Sequence, residues 1–315
     1  MKAVLHYRAS VGFRAALTAY ARTAGVNAVV VDEFDDATFA REIADAEVLL
    51  HVLKPVTAAM IGGALNLRLV QKLGVGVNTI DLEAAKAAGV AVSNMPGTNS
   101  QAVAEMALAL MLSVLRRLSY LDPLTRQGQG WEPDPDLIDG VGEIAGRIIG
   151  FVGYGGSASR LGAALQALGA EVIYTARSEK PDLPGRFTSL EGVLTRADIV
   201  SLHLPLTPQT QRMIDAKALA SMKPGAILIN TARGGLVDEA ALLSALCSGH
   251  LRGAGLDVFD QEPVDPDNPL LGLPNVVVAP HQAWLTPETL DRSLAAAFEN
   301  IRRLGAGEPL LNQVV

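Results

Sequence analysis

Short runs of apolar and β-branched residues alternate, over the first hundred positions, with stretches whose apolar residues recur at helical spacing. The runs are Ala3–His6, Ala28–Val31, Val48–Val52, Leu67–Lys72 and Val90–Val92, and a clear helical stretch is Leu82–Ala88. That order predicts a parallel sheet covered by helices. Pro96-Gly97 closes the region, a long apolar helix is expected over about Gln101–Leu118, and a polar loop rich in Gly, Asp and Pro runs from Gln127 to Gly142. From Arg147 the alternation restarts with Ile148–Val152, Glu171–Thr175, Ile199–Leu204, Ala226–Asn230, Gly253–Val258 and Val276–Ala279. The glycine-led turn after the first of these is expected to open a helix over Arg160–Leu168. A last helix, about Pro287–Leu304, follows the second sheet, so its expected place is against the first unit. The expected organisation is a discontinuous outer domain, residues 1–98 plus 286–315, and a continuous inner domain, residues 99–285. The sequence shows no solenoid repeat or low-complexity tract.

Composition narrows the partners. With 315 residues, 49% apolar and 19% charged, the chain can bury a large core and is long enough for two domains. The formal charge of −7 gives no overall attraction to phosphate backbones or anionic membranes, so nucleic acid is not expected as a partner, although a local basic pocket could hold a phosphorylated small molecule. The longest apolar run, Ala107–Leu115 with Met106 before it, is about half the roughly 20 residues that span a bilayer, so it reads as a buried helix. Met1–His6 enters a strand-like run directly, without an apolar leader segment, and a cytoplasmic address is expected. Cys247 has no partner for an internal disulfide and lies in an apolar helical stretch, where a small buried side chain is expected.

Gly150-Phe151-Val152-Gly153-Tyr154-Gly155-Gly156-Ser157-Ala158 runs from an apolar strand into a helix. Counted from Gly153 the spacing is G-x-G-x-x-A. Gly153 permits a tight turn, Gly155 lets the backbone approach a pyrophosphate, and small Ala158 lets helix and strand pack closely, so the first helical amides, including Gly156 and Ser157, can face an anion. A glycine turn without any ligand is the plainer alternative, and the strand–turn–helix context weighs against it. At the end of the next strand, where an NAD-binding domain places an acid on the ribose 2′-hydroxyl, the chain has Ala176 followed by Arg177, Ser178 and Lys180. No acid stands at Ala176 to repel a 2′-phosphate and three side chains can donate to one, so NADP is preferred over NAD.

Three later segments each place a charged residue just past a strand: Asn230-Thr231-Ala232-Arg233-Gly234, Asp257-Val258-Phe259-Asp260-Gln261-Glu262-Pro263 and Pro280-His281-Gln282-Ala283-Trp284. Ligands collect at such carboxyl ends in open α/β sheets. Arg233 can grip a carboxylate and polarise the adjacent ketone. A protonated His281 can deliver a proton to the ketone oxygen, and Glu262 beside the ring would favour its cation and fix its orientation. Taken singly, such an Arg is more often a surface ion pair, such a His a structural residue and such a Glu a loop charge.

Together with the turn at Gly153, these segments resemble the D-isomer-specific 2-hydroxyacid dehydrogenase family over nearly the whole chain. Leu73-Gly74-Val75-Gly76-Val77-Asn78, Asn94-Met95-Pro96-Gly97 followed by Val103-Ala104-Glu105, and His203-Leu204-Pro205-Leu206 with Thr210 also match. The resemblance implies an α/β fold of two domains, a Rossmann-type doubly wound parallel sheet inserted into a smaller flavodoxin-like α/β domain. It implies reduction of a small 2-oxo carboxylic acid, of the glyoxylate or hydroxypyruvate type, with NADPH or NADH, no metal, and a homodimer with the Gln127–Gly142 loop at the interface. By residue, it implies Arg233 on the substrate carboxylate, Glu262 and His281 as the acid–base pair, and Val75 and Gly76 amides as the outer-domain half of the carboxylate site. Asp257 and Thr231 are implied at the nicotinamide carboxamide. Leu204, Pro205 and Thr210 are implied along the cofactor, and Trp284 near the mouth of the site, where a core aromatic is an equal reading.

The chain departs from the family at Gly156-Ser157, where Arg-Ile is common, and Arg160 is the nearest replacement cation. Tyr174-Thr175-Ala176-Arg177-Ser178 looks like the NADPH-dependent glyoxylate and hydroxypyruvate reductases. Formate dehydrogenases carry Gln in place of Glu262. A phosphoglycerate dehydrogenase is the runner-up, with Lys54-Pro55 where such enzymes tend to show Arg or Ser, and a chain stopping at Val315 without a regulatory extension. A cofactor-sensing corepressor is the alternative from another class, since fold does not decide function.

Overall fold

The computed structural model describes residues 1–131 and 140–315. The chain divides into two compact units, Met1–Asn99 with Leu285–Val315, and Ser100–Trp284. Among the described residues no helix is long and apolar enough to cross a membrane.

The first unit is built on β1 (Lys2–His6), β2 (Asn27–Val31), β3 (Val48–His51), β4 (Leu69–Lys72) and β5 (Ala91–Ser93), all parallel, in the order β2-β1-β3-β4-β5. This is the flavodoxin-like order. The helices α1 (Val11–Ala24), α2 (Asp36–Ile43), α3 (Ala58–Gly63) and α4 (Leu82–Ala87) connect the strands. Their starts follow from the sequence: Ser10, Asp35, Thr57 and Asp81 each accept a hydrogen bond from an amide of the first turn. Strands buried on both faces, such as Val48–His51, explain why these runs read as continuously apolar. The carboxyl end of the chain returns to this unit, where Val314 and Val315 pair with Val92 at the β5 edge.

Two histidines lie deep in this unit. His6 stacks on Phe39 with ring centroids 3.7 Å apart. His51 Nε2 donates to the Lys54 carbonyl at 2.8 Å, which leaves Nδ1 as the bare, buried nitrogen. Burial, helped by the Lys54 charge for His6 and the Lys72 charge for His51, pushes their pKa values down from 6.5 to about 4 and about 3. The folded state therefore keeps both rings neutral while the unfolded chain takes up protons below about pH 6.5, so stability falls as pH drops through that window. We expect a loss on the order of 2 kcal/mol per histidine between pH 6.5 and 4.5, read as the urea midpoint by far-ultraviolet circular dichroism. A midpoint unchanged across that interval would contradict it.

The second unit holds β6 (Ile148–Val152), β7 (Glu171–Thr175), β8 (Arg186–Phe187), β9 (Ile199–Leu202), β10 (Ala226–Asn230), β11 (Leu251–Leu256) and β12 (Val276–Val278). All pair in parallel in the order β12-β11-β10-β9-β6-β7-β8. The order reverses between β6 and β9, the switch point at which doubly wound sheets bind ligands. Helices α5 (Ser100–Leu115) and α7 (Gly156–Ala167) pack with Phe151, Tyr174 and Ile229 on one side of the sheet. On the other side, α8 (Leu190–Arg196), α9 (Ala216–Ser221) and α10 (Glu239–Cys247) pack with Val200, Leu228 and Ala254.

Several boundaries differ from the sequence reading. The helix expected to reach Leu118 stops at Leu115, because Arg117 adopts a left-handed conformation (φ 51°), and a separate helix α6 (Leu118–Arg126) begins there. The expected polar loop Gln127–Gly142 has residues 132–139 outside the described residues. The helix after the glycine turn starts at Gly156 rather than Arg160. Cys247 is exposed rather than buried: it ends α10, one position past the buried Leu246, and so faces away from the stripe formed by Leu242 and Leu246. The last helix, α11 (Pro287–Ala306), belongs to the first unit and packs against α1.

Candidate active site

The glycine turn follows β6. Gly153 has φ 86°, and its amide donates to the Thr175 carbonyl at 2.9 Å, which fixes the turn against β7. A side chain at Gly153 would overlap the His203 carbonyl beyond β9, so the turn lies against backbone at the switch point. Gly155 caps α7 in extended conformation with no side-chain cap and open space around it. The first amides of α7, at Gly156, Ser157 and Ala158, therefore have no capping acceptor, and an uncapped helix start presents donors and a positive dipole end. Ala158 is fully buried in the core under the turn.

Ser157 behaves differently from a simple phosphate contact. Its hydroxyl lies 3.1 Å from His203 Nδ1, and His203 Nε2 lies 2.9 Å from Ser201 Oγ. Burial pushes His203 down to about 4, so the ring is neutral, donating from one nitrogen to one serine and accepting at the other nitrogen from the second. The Ser157 side chain is thus turned toward β9. A Cβ at Gly156 would sit 2.8 Å from Ser100 Oγ at the start of α5, so a long side chain there would press on that helix. Arg160 is exposed, with its guanidinium 3.5 Å from Gln101 Oε1.

Past β7, Ala176 is half-buried while Arg177, Ser178 and Lys180 are exposed. Leu204 lies beside the turn at Gly153. Thr210 donates to the Pro205 carbonyl at 2.8 Å and accepts from the Thr207 amide at 2.8 Å, so its hydroxyl shapes the Pro205–Thr210 loop.

Three loop segments at the ends of β10, β11 and β12 converge. Asn230 holds the first: its Nδ2 donates to the Arg233 carbonyl at 2.8 Å and its Oδ1 accepts from the Ala232 amide at 3.0 Å. Burial pulls the Arg233 pKa down, opposed by the charge of Glu262, which places these two groups within each other's field. The next residue, Gly234, lies against the Phe259–Asp260 peptide so closely that a methyl group would overlap it. Thr231 Oγ1 is buried and has no hydrogen-bond partner among the described residues.

His281 Nδ1 lies 2.6 Å from Glu262 Oε2, and Glu262 Oε1 accepts from the Phe259 amide at 3.0 Å. Burial pushes Glu262 up, but the His281 hydrogen bond and charge, the Phe259 amide and the Arg233 charge outweigh it, and the carboxyl titrates below its usual range. It is therefore ionised at neutral pH, and it engages His281 at Nδ1, leaving Nε2 on the other side of the ring. Fully buried Asp257 fixes the ring's segment. Its carbonyl accepts from the His281 amide at 2.7 Å, and its carboxylate oxygens accept from the Gln282 and Ala283 amides at 2.8 and 2.9 Å. His281 itself is held at φ 54°. Trp284 ends this segment and is only 9% exposed, in keeping with a core aromatic.

In the other unit, Val75 and Gly76 follow β4 at the carboxyl edge of that sheet. Their amides donate to no group among the described residues, and Asn94 Nδ2 donates to the Val75 carbonyl at 2.8 Å. Asn230 and Asn94 were not singled out from sequence as loop-holding residues. For Asn230 a signal existed, since an Asn at a strand end two and three residues before the groups it binds is an Asx-type geometry.

The chain belongs to the D-isomer-specific 2-hydroxyacid dehydrogenases. The family's NAD-binding domain matches residues 108–283. A D-3-phosphoglycerate dehydrogenase of Mycobacterium leprae is 41% identical over 283 residues, 88% of this chain and 53% of that protein. The chain thus spans about half the length of that relative. A glyoxylate reductase of Aeropyrum pernix is 39% identical over 257 residues, 79% of this chain and 76% of that protein. The TT0316 protein of Thermus thermophilus shares the fold over the whole of both chains, with 37% identity and a TM-score of 0.90.

Proposed function

We propose that the protein reduces a small 2-oxo carboxylic acid of the glyoxylate or hydroxypyruvate type to the D-2-hydroxy acid, using NADPH in preference to NADH. The observation that carries this reading is the hydrogen-bonded Glu262–His281 contact beside half-buried Arg233, at the carboxyl end of a sheet that also bears an uncapped, glycine-led helix start. The residues fit a dinucleotide: Gly155 leaves space beside the amides of Gly156 to Ala158, and the bare Thr231 hydroxyl is suited to an amide group of the ligand. A bound nicotinamide supplies the hydride. Arg233 holds the substrate carboxylate and draws electron density from the adjacent ketone, and His281 gives its Nε2 proton to the ketone oxygen. Glu262 favours the charged ring that can do so, and Asp257 keeps the ring's backbone in place.

Support for NADPH is local: Arg177, Ser178 and Lys180 stand exposed beyond Ala176, with no acid in the ribose position. The test is a rate panel of glyoxylate, hydroxypyruvate, pyruvate, 2-oxogluconate and 3-phosphohydroxypyruvate with both cofactors. We expect glyoxylate or hydroxypyruvate to have the highest kcat/KM, and Arg177→Ala to raise KM for NADPH about tenfold or more while leaving KM for NADH nearly unchanged. Equal effects on both cofactors would remove the 2′-phosphate assignment. A second reading, oxidation of a phosphorylated hydroxy acid, is favoured by the 41% identity to a phosphoglycerate dehydrogenase, and dominance of 3-phosphohydroxypyruvate in the panel would select it. Exposed Leu118 and Tyr120 on α6, a helix with no buried residue, support pairing of two copies.

A further inference from the structure

Between β7 and β8 the chain loops out through residues 176–185, carrying Arg177, Ser178 and Lys180 on its exposed side. A solvent-exposed loop of this length has little to hold its shape unless side chains tie it down. Here two tyrosines reach it from beneath. Tyr154 is the middle residue of the glycine turn, and Tyr174 lies in β7; their rings stack with centroids 4.0 Å apart and planes 11° from parallel. Both are almost wholly buried.

Their hydroxyl groups meet the loop at its middle and near its far end. Tyr174 accepts from the Lys180 amide at 2.8 Å, and Tyr154 donates to the Pro184 carbonyl. The packing is fitted to this arrangement. A Cβ at Gly162 of α7 would lie 2.5 Å from the Tyr154 hydroxyl, and one at Gly185 would lie 2.7 Å from Val172 and 3.3 Å from the Tyr174 ring. Burial and the neighbouring Tyr174 push the Tyr154 hydroxyl up to about 12, so it stays a neutral donor at any assay pH. The phosphate turn and the loop beyond β7 are thereby joined through one pair of stacked rings, which local periodicity in the sequence does not reveal.

We infer that Tyr154 and Tyr174 are positioning residues that fix the 176–185 loop so that Arg177 and Ser178 face the 2′-phosphate of the cofactor. The inference rests on the NADPH reading. Neither tyrosine touches the phosphate; each acts through the backbone that carries those two residues. Removing one neutral hydrogen bond is worth a factor of about three to ten.

The test uses Tyr154→Phe and Tyr174→Phe, which keep the ring stack and delete one hydroxyl each, beside Arg177→Ala. For each variant KM is measured with NADPH and with NADH, and trypsin cleavage after Arg177 is timed in the parent chain and the two Phe variants, with the fragment identified by mass. We expect each Phe variant to raise KM for NADPH about three- to tenfold, and less for NADH, and to speed cleavage after Arg177 at an unchanged melting temperature within a few degrees. If Arg177→Ala shifts the NADPH to NADH ratio while both Phe variants leave ratio and cleavage rate unchanged, the inference is overturned and the cofactor reading stands. If Arg177→Ala leaves the ratio unchanged, the cofactor reading falls and takes the inference with it, and faster cleavage in the Phe variants then marks the tyrosines as structural only.

Discussion

His281→Asn is expected to fold, bind cofactor with near-normal affinity and lose about 10²- to 10⁴-fold in kcat, the range that a positioned proton donor contributes. Asparagine is the informative replacement because the backbone at this position is left-handed (φ 54°), a conformation that Asn tolerates better than most residues. Its amide can still meet Glu262 but has no proton to give at neutral pH. A companion variant, Glu262→Gln, removes the charge that favours the imidazolium while keeping an acceptor for the Phe259 amide. It should lose less rate than His281→Asn. The Glu262 carboxyl titrates below its usual range, so the pair should persist on the acid side until that depressed value is reached. Near-wild-type turnover in His281→Asn would exclude this ring from proton transfer.

The second large effect is expected for Arg233→Ala. A half-buried guanidinium that binds a carboxylate through two charge-assisted hydrogen bonds is worth roughly 3 kcal/mol or more, so kcat/KM for a 2-oxo acid should fall by about 10²-fold or more. Burial disfavours the cation, with the Glu262 charge sustaining it, and a bound carboxylate would add to that support. The control is a 2-oxo amide, which presents no negative charge to Arg233. Wild-type activity on that compound should be low, and the substitution should reduce it little, so the preference for acid over amide should nearly vanish in the variant. An equal loss on acid and amide would show that Arg233 supports the loop rather than the substrate charge.

Much of this arrangement was legible in the sequence because it depends on short spacing. The glycine turn, Arg233 after β10, Glu262 before Pro263 and His281 after Pro280 each lie within a few residues of a strand end, and the strands themselves show as apolar runs. The parallel sheets followed from the alternation alone. What local patterns could not show is which side chains meet across distance. Ser157 reads as a phosphate contact, yet its hydroxyl is within reach of His203, 46 positions away. Arg117 continues an apolar helical pattern, yet its left-handed backbone ends one helix and starts another. The two-residue β8 is too short and too exposed to leave a strand signal. Cys247 was read from the apolar character of its neighbours, whereas the face of α10 on which it falls decided its exposure.

The absence of room beside Gly234 has a wider meaning for how this site can change. The loop bearing the guanidinium and the loop bearing the acid abut peptide against peptide, and Glu262 accepts from the Phe259 amide, one peptide unit before that abutment. The separation of cation and acid is therefore a dimension of the main chain. Residues around it can be exchanged to admit a larger or smaller acid without disturbing the reacting groups, whereas any residue with a side chain at position 234 would force both loops apart at once.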